Sequence, residues 1–328
     1  AGLAALADAA GLSAPPRSSD LGFVLGPRLN AGGRVGEAGL GVALLTAPDM
    51  AAAMPLAARL EEQNRERRRI EADVLDAALA AAGTRLDAER AEGHMPSLAW
   101  AAGEGWHPGV VGIVASRLKE RFGCPAVVIG IDEAGLAKGS GRSVPGVDLG
   151  SAISALAREG LLEAGGGHRM AAGLTARADR VTDAMAALAE RLGRDGAGAA
   201  EPAKLTIDGL VAPAAATPEL VGQLEAAGPF GQASPPPRLA LARVVPRGVR
   251  VSDRGHVSLR LEAAEGAAGR ARALPAIAFG AAENGIGAAL LAAAEAGRPL
   301  HAAGRLEIDD WGGRRRAKLR LEDVGEIG

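Results

Sequence analysis

Four glycine-rich stretches carry the arginine, serine and histidine side chains that could do chemistry in this 328-residue chain. In chain order they read GPRLNAGGR from Gly26, WHPGVVGIVASRL from Trp106, GSGRSVPGVDLGSAI from Gly139 and EAGGGHRMAAG from Glu163. Glycine lets the backbone approach a ligand closely, and arginine makes forked pairs with phosphate. Because acidic residues are scarce in these stretches, the set indicates phosphate binding.

The stretch from Gly139 places Ser140, Arg142 and Ser143 at the end of a predicted strand. Arg142 could make a forked pair with a phosphate, and both serine hydroxyls could donate to it. The spacing is neither the GxGxxG of dinucleotide sites nor a Walker loop. Taken alone, a glycine-rich turn with a surface arginine explains this stretch equally well.

The two histidine-containing stretches each leave two interpretations open. A helix is predicted to begin at Gly109, directly after a strand, and its N-terminus would favour an anion. His107 could contact that anion, or it could only cap the helix. Gly165, Gly166 and Gly167, placed before His168, predict a strained loop against a ligand, or else a plain flexible loop. His168 could donate to a phosphate or lie beside a metal.

The stretch from Gly26 offers Arg28, Asn30 and Arg34. Glycine and proline are too frequent there for regular structure, so we expect a loop between domains, or an ordinary hinge. No HxH, DxD or DHH sequence occurs in the chain, and no nucleophile elbow is present. Two-metal hydrolysis needs several clustered Asp and His ligands, so we predict no metal site in this chain.

The elements that must position these residues fall into several parts. Residues 1–48 are glycine-rich, and residues 49–83 predict a long helix capped by Asp49 and ended by Gly83. The charged middle of that helix is typical of a bridge between two domains, although a solvated helix within one domain is the alternative. Residues 95–195 alternate strand and helix, which predicts a small α/β domain.

The C-terminal residues 204–328 predict short strands and one helix near 284–296, a pattern that suits a small barrel such as an OB-fold. Residues 238–320 hold 15 Lys or Arg against 8 Asp or Glu, although the whole chain has a net charge of −2. A basic module of this kind favours nucleic acid. The aromatic residues in this part are Phe230, Phe279 and Trp311.

Composition excludes several classes of protein. The single cysteine, Cys124, excludes a disulfide framework or a cysteine-ligated metal, and it fits a reducing, cytoplasmic compartment as a small buried side chain. No apolar run is long enough to predict a membrane span, and the N-terminus lacks a signal-peptide layout. Because the chain starts at Ala1 in what reads as the middle of a domain, we expect a fragment of a longer polypeptide.

Taken as a set, the motifs resemble the RecJ family of single-stranded-DNA-specific exonucleases in the DHH phosphoesterase superfamily. The resemblance also covers GPFGQASPPPRL and HAAGRLEIDDWGGRRRAKLRLEDV, and it runs through essentially the whole chain in the family's order. It implies an α/β DHH-associated domain, joined by the long helix to the remnant of the DHH domain at residues 1–48. An all-β OB-fold barrel would follow at residues 204–328.

The resemblance further implies an Mn²⁺- or Mg²⁺-dependent, 5′-to-3′ exonuclease of DNA recombination and repair. Its metals would be bound by a DHH domain missing from this chain, so the chain alone would be inactive. Partners would be single-stranded DNA, the missing DHH domain and a single-stranded-DNA-binding protein or helicase, with no membrane. His168 and Arg142 would be the catalytic contacts. The substrate would also meet the residues Arg28, Asn30, His107, Ser140, Ser143, Gly165, Gly166, Gly167 and Trp311.

Two other functions remain as alternatives. The first is another DHH-superfamily phosphoesterase, such as an oligoribonuclease or nucleotide phosphatase, although such an enzyme would not need a basic OB-like module. The second is a non-enzymatic module that binds single-stranded DNA. With so few aromatic residues in the barrel, Arg314, Arg315 and Arg316 would do part of the stacking and phosphate binding.

Overall fold

A computed structural model of the chain describes residues 1–196, 204–231, 234–264, 273–282, 285–310 and 315–327. The chain divides into two compact units, Ala1–Ala203 and Lys204–Gly328. In the described ranges, no helix combines the length and the apolar character needed to cross a membrane.

The N-terminal segment is helical: a helix before Gly11 agrees with the sequence pattern there, whereas the loop predicted for the stretch from Gly26 is wrong. Its helices are α1 (Gly2–Ala9), α2 (Ser18–Asp20), a π-helical turn (Leu21–Leu25), α3 (Gly26–Val35) and α4 (Leu40–Leu45). The glycines serve close packing there, because a Cβ atom on Gly32 would lie 2.7 Å from the carbonyl oxygen of Glu37. Tertiary contact therefore outweighs the weak helix propensity of glycine.

Helix α5 spans Met50–Ala91, 42 residues and about 60 Å. As predicted, Asp49 caps it, with Oδ1 accepting a hydrogen bond of 2.8 Å from the amide of Ala52. The predicted end at Gly83 is wrong. The helix continues because Leu86 is fully buried and the Arg85 guanidinium lies 4.0 Å from the centroid of the Trp100 ring.

An α/β region follows α5 and has a five-stranded sheet in the order β1-β2-β3-β5-β4 among its described residues. Strands β1 and β2 are parallel and the other pairs are antiparallel. Helices α5 and α6 cover one face of the sheet, and α7 and α8 cover the other. The elements are β1 (Ala99–Glu104), α6 (Pro108–Phe122), β2 (Ala126–Ile131), β3 (Leu136–Arg142), α7 (Leu149–Arg158), β4 (Ala164–His168), β5 (Ala171–Arg177) and α8 (Val181–Arg194).

The triple-glycine stretch is the edge strand β4, so the predicted loop is wrong there too. Gly167 pairs with Ala172 across the ladder to β5. The glycines let α7 lie flush on this edge, since a Cβ atom on Gly165 would come within 2.7 Å of the Ile153 side chain. Cys124 is buried as predicted, and burial raises the pKa of its thiol.

The C-terminal unit contains a closed barrel. Strands β7, β8, β9, β11 and β10 neighbour one another in that order, and β10 returns to β7 to close the ring. Strands β9 and β11 are parallel, whereas the other barrel pairs are antiparallel. The elements are β6 (Gly209–Leu210), α9 (Pro218–Ala226), β7 (Leu239–Val251), β8 (Val257–Ala263), β9 (Leu274–Ala278), α10 (Gly285–Ala296), β10 (Leu300–Asp309) and β11 (Arg316–Glu326).

The predicted fold class is confirmed: an α/β region with a long helix, followed by an OB-type barrel. The predicted helix near 284–296 is α10, whereas α9 was not predicted. The interpretation of residues 1–48 as the remnant of a DHH domain stays a prediction.

Candidate phosphate-binding site

Ser140 and Arg142, two residues apart on β3, lie against the first turns of α6. Nη1 of Arg142 donates to Oγ of Ser140 at 2.9 Å and to the Gly141 carbonyl at 2.8 Å. A Cβ atom on Gly112 would lie 2.9 Å from Nη2 of Arg142 and 3.0 Å from Oγ of Ser140. Gly112 has no side chain and therefore leaves the space that the Arg142 guanidinium occupies.

Arg34 brings a second guanidinium to the same place from the end of α3. Its Nη1 donates to the carbonyl of Gly109 at 3.0 Å. A Cβ atom on Gly109 would lie only 2.1 Å from the carbonyl oxygen of Arg34, so α3 and α6 touch through this glycine. Two contacts thus join the end of α3 to the start of α6: the hydrogen bond from Arg34 to the Gly109 carbonyl, and the close packing of Gly109 against the Arg34 carbonyl.

Charge at this place is uncompensated. Burial lowers the pKa of Arg142, and the positive charge of Arg34 lowers it further. In the described ranges, neither arginine forms an ion pair with a carboxylate. The N-terminus of α6 adds its positive dipole end. Two guanidinium groups, a hydroxyl and a helix N-terminus together form a site for a phosphate.

His107 caps α6, as the second of its two interpretations in the sequence analysis predicted. Its Nδ1 accepts a hydrogen bond of 3.0 Å from the amide of Gly109. In the neutral ring, that bond assigns the proton to Nε2, which stays available as a donor. His107 therefore shapes the helix end, and its hydrogen bond to Gly109 leaves the N–H of Nε2 unused.

His168 lines a cavity whose lining does not include Arg142. The ladders pair His168 with Ala171 and Ala171 with Arg142, so two strand spacings, roughly 10 Å, separate their backbones. A Cβ atom on Gly150 would lie 2.8 Å from the His168 carbonyl oxygen. The cavity, of about 360 Å³, is lined by His168, Asp148, Gly150, Ser151, Ser154, Arg158, Gly167 and Arg169.

Two domain families match this chain. Residues 95–194 match the DHHA1 domain, and residues 207–323 match the RecJ OB domain. The chain is RecJ-like. The predicted resemblance is therefore confirmed, and the α/β region and the barrel are its DHHA1 and OB parts.

Curated relatives and solved structures agree with this assignment. The RecJ-like chain is 39% identical to the single-stranded-DNA-specific exonuclease RecJ of Dickeya dadantii over 67% of this chain and 38% of the relative. It is 31% identical to that of Bacillus subtilis over 93% of this chain and 36% of the relative. The fold matches Thermus thermophilus RecJ in complex with Mn²⁺ with a TM-score of 0.76, at 24% identity, covering 100% of this chain and 44% of that chain. The chain thus spans less than two fifths of these two curated relatives.

Two predicted site residues of the RecJ-like chain are used internally instead. Arg28 is buried, forms an ion pair with Glu61, and donates to the Val24 carbonyl at 2.7 Å. Ser143 is 1% exposed and donates to the Val147 carbonyl at 2.9 Å. Both side chains are thus engaged within the protein. The assignment of Arg28 and Ser143 to the substrate stays a prediction.

The sequence analysis mentioned Arg34 in the stretch from Gly26, but it assigned Arg28, and not Arg34, to the substrate. On a helix, residues six apart point in widely different directions, so α3 can present only one of the two arginines to α6. If GPRLNAGGR had been predicted as a helix and not as a loop, helical periodicity would have shown that Arg28 and Arg34 point in different directions. Gly112 was not predicted as a positioning residue, because nothing in the sequence shows that β3 passes the turn of α6 that contains Gly112. Asn30 is exposed on α3, in the groove that also holds Arg34.

In the barrel, Phe279 is 54% exposed. His256 meets its ring edge-on with 5.1 Å between the ring centroids, and the Arg320 guanidinium lies 5.9 Å from the centroid of that ring. The predicted contacts Trp311 and Arg314 lie outside the described residues. Arg315 and Arg316 are exposed.

The described part of the RecJ-like chain contains no group of three His, Cys, Asp or Glu residues that could hold a metal ion. A divalent cation does not fit the Arg34–Arg142 site either, because two guanidinium charges repel it.

Proposed function

We propose that this chain binds the 5′-phosphate end of single-stranded DNA and supplies the substrate-binding half of a RecJ-like exonuclease. The uncompensated pair Arg34 and Arg142, beside Ser140 at the N-terminus of α6, is the observation that carries the proposal. A terminal phosphate monoester carries up to two negative charges, and two guanidinium groups match that charge better than they match an internal phosphodiester.

Hydrolysis in this proposal depends on Mn²⁺ or Mg²⁺, the ions found in solved RecJ structures. Those ions would polarise the scissile phosphodiester from a DHH domain outside the described residues. Within this chain, Arg34 and Arg142 hold the end of the strand and fix its register. Ser140 and the Nε2 proton of His107 add hydrogen bonds to the same phosphate. We therefore expect no hydrolysis by this chain alone.

His168 acts in this proposal as a second contact to the strand, from its own cavity. The neighbouring Arg158 and Arg169 give that cavity positive charge, and Asp148 at the N-terminus of α7 offsets part of it. With roughly two strand spacings between His168 and Arg142, the two contacts would meet different phosphates of one strand.

The OB barrel holds the strand away from its end. The exposed Phe279 ring, flanked by Arg320, offers a platform for stacking a base. A basic barrel suits a long strand better than it suits a dinucleotide, which favours the exonuclease over the oligoribonuclease alternative. We place the intact enzyme in the cytoplasm, in DNA recombination and repair, with a single-stranded-DNA-binding protein or a helicase as partner.

The experiment compares fluorescent oligothymidylates that carry a 5′-phosphate or a 5′-hydroxyl. We expect the wild-type chain to bind the phosphorylated strand more tightly, by roughly tenfold for one charge-assisted contact. Arg142→Ala should remove that difference, and binding should weaken as salt increases. Equal affinity for both ends in the wild-type chain would contradict the proposal. Digestion of either strand by this chain with Mn²⁺ present would contradict the expected inactivity.

A further inference from the structure

A groove of about 580 Å³ runs between α3, α5 and α6 and continues from the phosphate site. Arg34 belongs to both, since it donates to Gly109 at the start of α6 and also lines the groove. The other lining residues used below are Phe23, Asn30, Arg67, Arg68, Glu71 and Arg117. Among the predicted substrate contacts that the structure describes, Asn30 alone lines this groove.

The floor of the groove contains a buried arginine with an unused donor. Arg67 is 8% exposed, forms an ion pair with Glu71, and donates to Oδ1 of Asn64 at 3.1 Å. Its Nε and the Nδ2 of the fully buried Asn64 have no hydrogen-bond partner among the described residues. Buried donors are rarely left unpaired in folded proteins, so a ligand or water is expected to complete this cluster.

The rim of the groove is cationic. Arg68 is exposed and forms no ion pair with a carboxylate in the part of the chain that the structure describes. Arg117 pairs with Glu120 on its own helix at 3.2 Å. Four arginines thus face one carboxylate, Glu71, in the lining of the groove. Such a surface attracts an anion and repels a metal ion or a basic peptide.

An aromatic ring stands at the same rim. Phe23, in the π-helical turn before α3, is 82% exposed, more than any other large hydrophobic residue in the described ranges. An exposed ring next to arginines offers one base a stacking surface while a guanidinium meets its phosphate. A phosphate next to a flat, sequence-tolerant apolar surface is the repeating unit of single-stranded nucleic acid.

We propose that this groove is a second nucleotide subsite, which takes the first internucleotide phosphate on Arg68 and stacks the adjoining base on Phe23. The assignment rests on the proposed function, because Arg34 joins the groove to the pocket for the terminal phosphate. Arg67, which lines the groove beneath Arg68, adds positive charge to the floor on which this phosphate lies.

The test measures the affinities of thymidine 5′-monophosphate and of the 5′-phosphorylated dithymidylate for the whole chain. In the wild-type chain, the second nucleotide should tighten binding by about tenfold. Arg68→Ala and Phe23→Ala should each remove most of that gain and leave the mononucleotide affinity unchanged. Both side chains are exposed, so both variants should retain the wild-type melting temperature. Arg65→Ala is the matched control, because Arg65 is an exposed arginine of α5 that does not line the groove.

Several results would overturn the subsite. These are an equal affinity of the wild-type chain for the two ligands, an equal loss for both ligands in Arg68→Ala, or the same loss in Arg65→Ala. Failure of the end pocket gives a different result, in which Arg142→Ala leaves the mononucleotide affinity unchanged. In that case the subsite is tested with unphosphorylated dithymidylate, whose affinity should still fall in Arg68→Ala. If its affinity is unchanged, the subsite is refuted as well.

Discussion

Burial lowers the pKa of Arg142 and the charge of Arg34 lowers it further, although Arg34 lies at the end of a helix and Arg142 at the end of a strand far along the chain. In the described ranges neither charge is neutralised by a carboxylate. Gly109 and Gly112 make this proximity possible, since each leaves space where a Cβ atom would meet the Arg34 backbone or the Arg142 guanidinium. Two like charges brought together without a counter-charge are relieved when an anion binds.

Inorganic phosphate should therefore raise the melting temperature of this chain. A ligand that binds only the folded state at 100 times its dissociation constant adds about 2.7 kcal/mol of stability. Scanning calorimetry in a buffer without phosphate, with phosphate added stepwise at constant ionic strength, measures the shift. Arg142→Ala should abolish most of the shift, whereas Arg65→Ala should keep it. The same phosphate-induced shift in Arg142→Ala as in the wild-type chain would assign the anion to another place.

Substitution of Gly109 tests the contact between α3 and α6. In Gly109→Ala, the new Cβ atom would be 2.1 Å from the backbone oxygen of Arg34, so α3 must move and carry Arg34 away. We expect a loss of stability of roughly 1–3 kcal/mol, as for an overpacked site, and weaker binding of phosphorylated DNA. Gly33→Ala is the control, because nothing lies within 4 Å of its Cβ position on α3. That variant should be more stable by up to about 1 kcal/mol. If both variants had equal melting temperatures, the contact would not be tight.

Arg28 should matter for stability and not for DNA binding. Arg28→Ala leaves the mostly buried Glu61 with only the exposed Arg65, 3.9 Å away, as an ion-pair partner, at a cost of up to about 3 kcal/mol. The double variant Arg28→Met with Glu61→Leu removes both charges and should recover most of that loss. Chemical denaturation followed by circular dichroism gives the stabilities. Binding of phosphorylated DNA, measured well below each melting temperature, should equal that of the wild-type chain. A selective loss of binding would return Arg28 to the site.

Asp148 predicts a specific acid sensitivity. The amide of Ser151 donates to Asp148, which holds the pKa of this carboxyl below its usual 3.8, and the charge of Arg169 acts in the same direction. A lowered pKa in the folded state stabilises the fold above about pH 4, and that contribution is lost as the pH falls through the lowered value. Asp148→Asn keeps a capping side chain but no longer titrates. Its melting temperature should fall less than that of the wild-type chain between pH 6 and pH 3. Parallel curves would show that Asp148 does not contribute to acid sensitivity.

Phe279 should contribute to binding of long strands only. Loss of one stacking ring costs about 1–3 kcal/mol per base, so Phe279→Ala should weaken binding of a long oligothymidylate by roughly tenfold or more. Leu210→Ala, a comparable truncation of a side chain that is 77% exposed, is the control. Fluorescence anisotropy with strands of different lengths measures both variants. An equal loss for mononucleotides and long strands in Phe279→Ala would argue against a role of the barrel in holding the strand.

Local sequence pattern was sufficient to predict several parts of the fold. The cap at Asp49, the strands and helices of the α/β region and the strand-rich barrel follow from capping residues and hydrophobic periodicity, which act between neighbours in the chain. The sequence also predicted the type of ligand, because arginine, serine and glycine without acidic partners favour phosphate whatever their exact placement. That ligand stays a prediction.

The tertiary structure alone decided which of these residues meet. Glycine permits a turn and a close helix contact equally well, so the sequence predicted loops where α3 and the strand β4 stand. It could not distinguish Arg28 from Arg34, because the carboxylate of Glu61 reaches Arg28 only after α3 packs on α5. The contact of Arg142 with α6 and the groove that contains Phe23 and Arg68 likewise arise between segments far apart in the chain. Such contacts depend on the packing of whole elements, which no local pattern records.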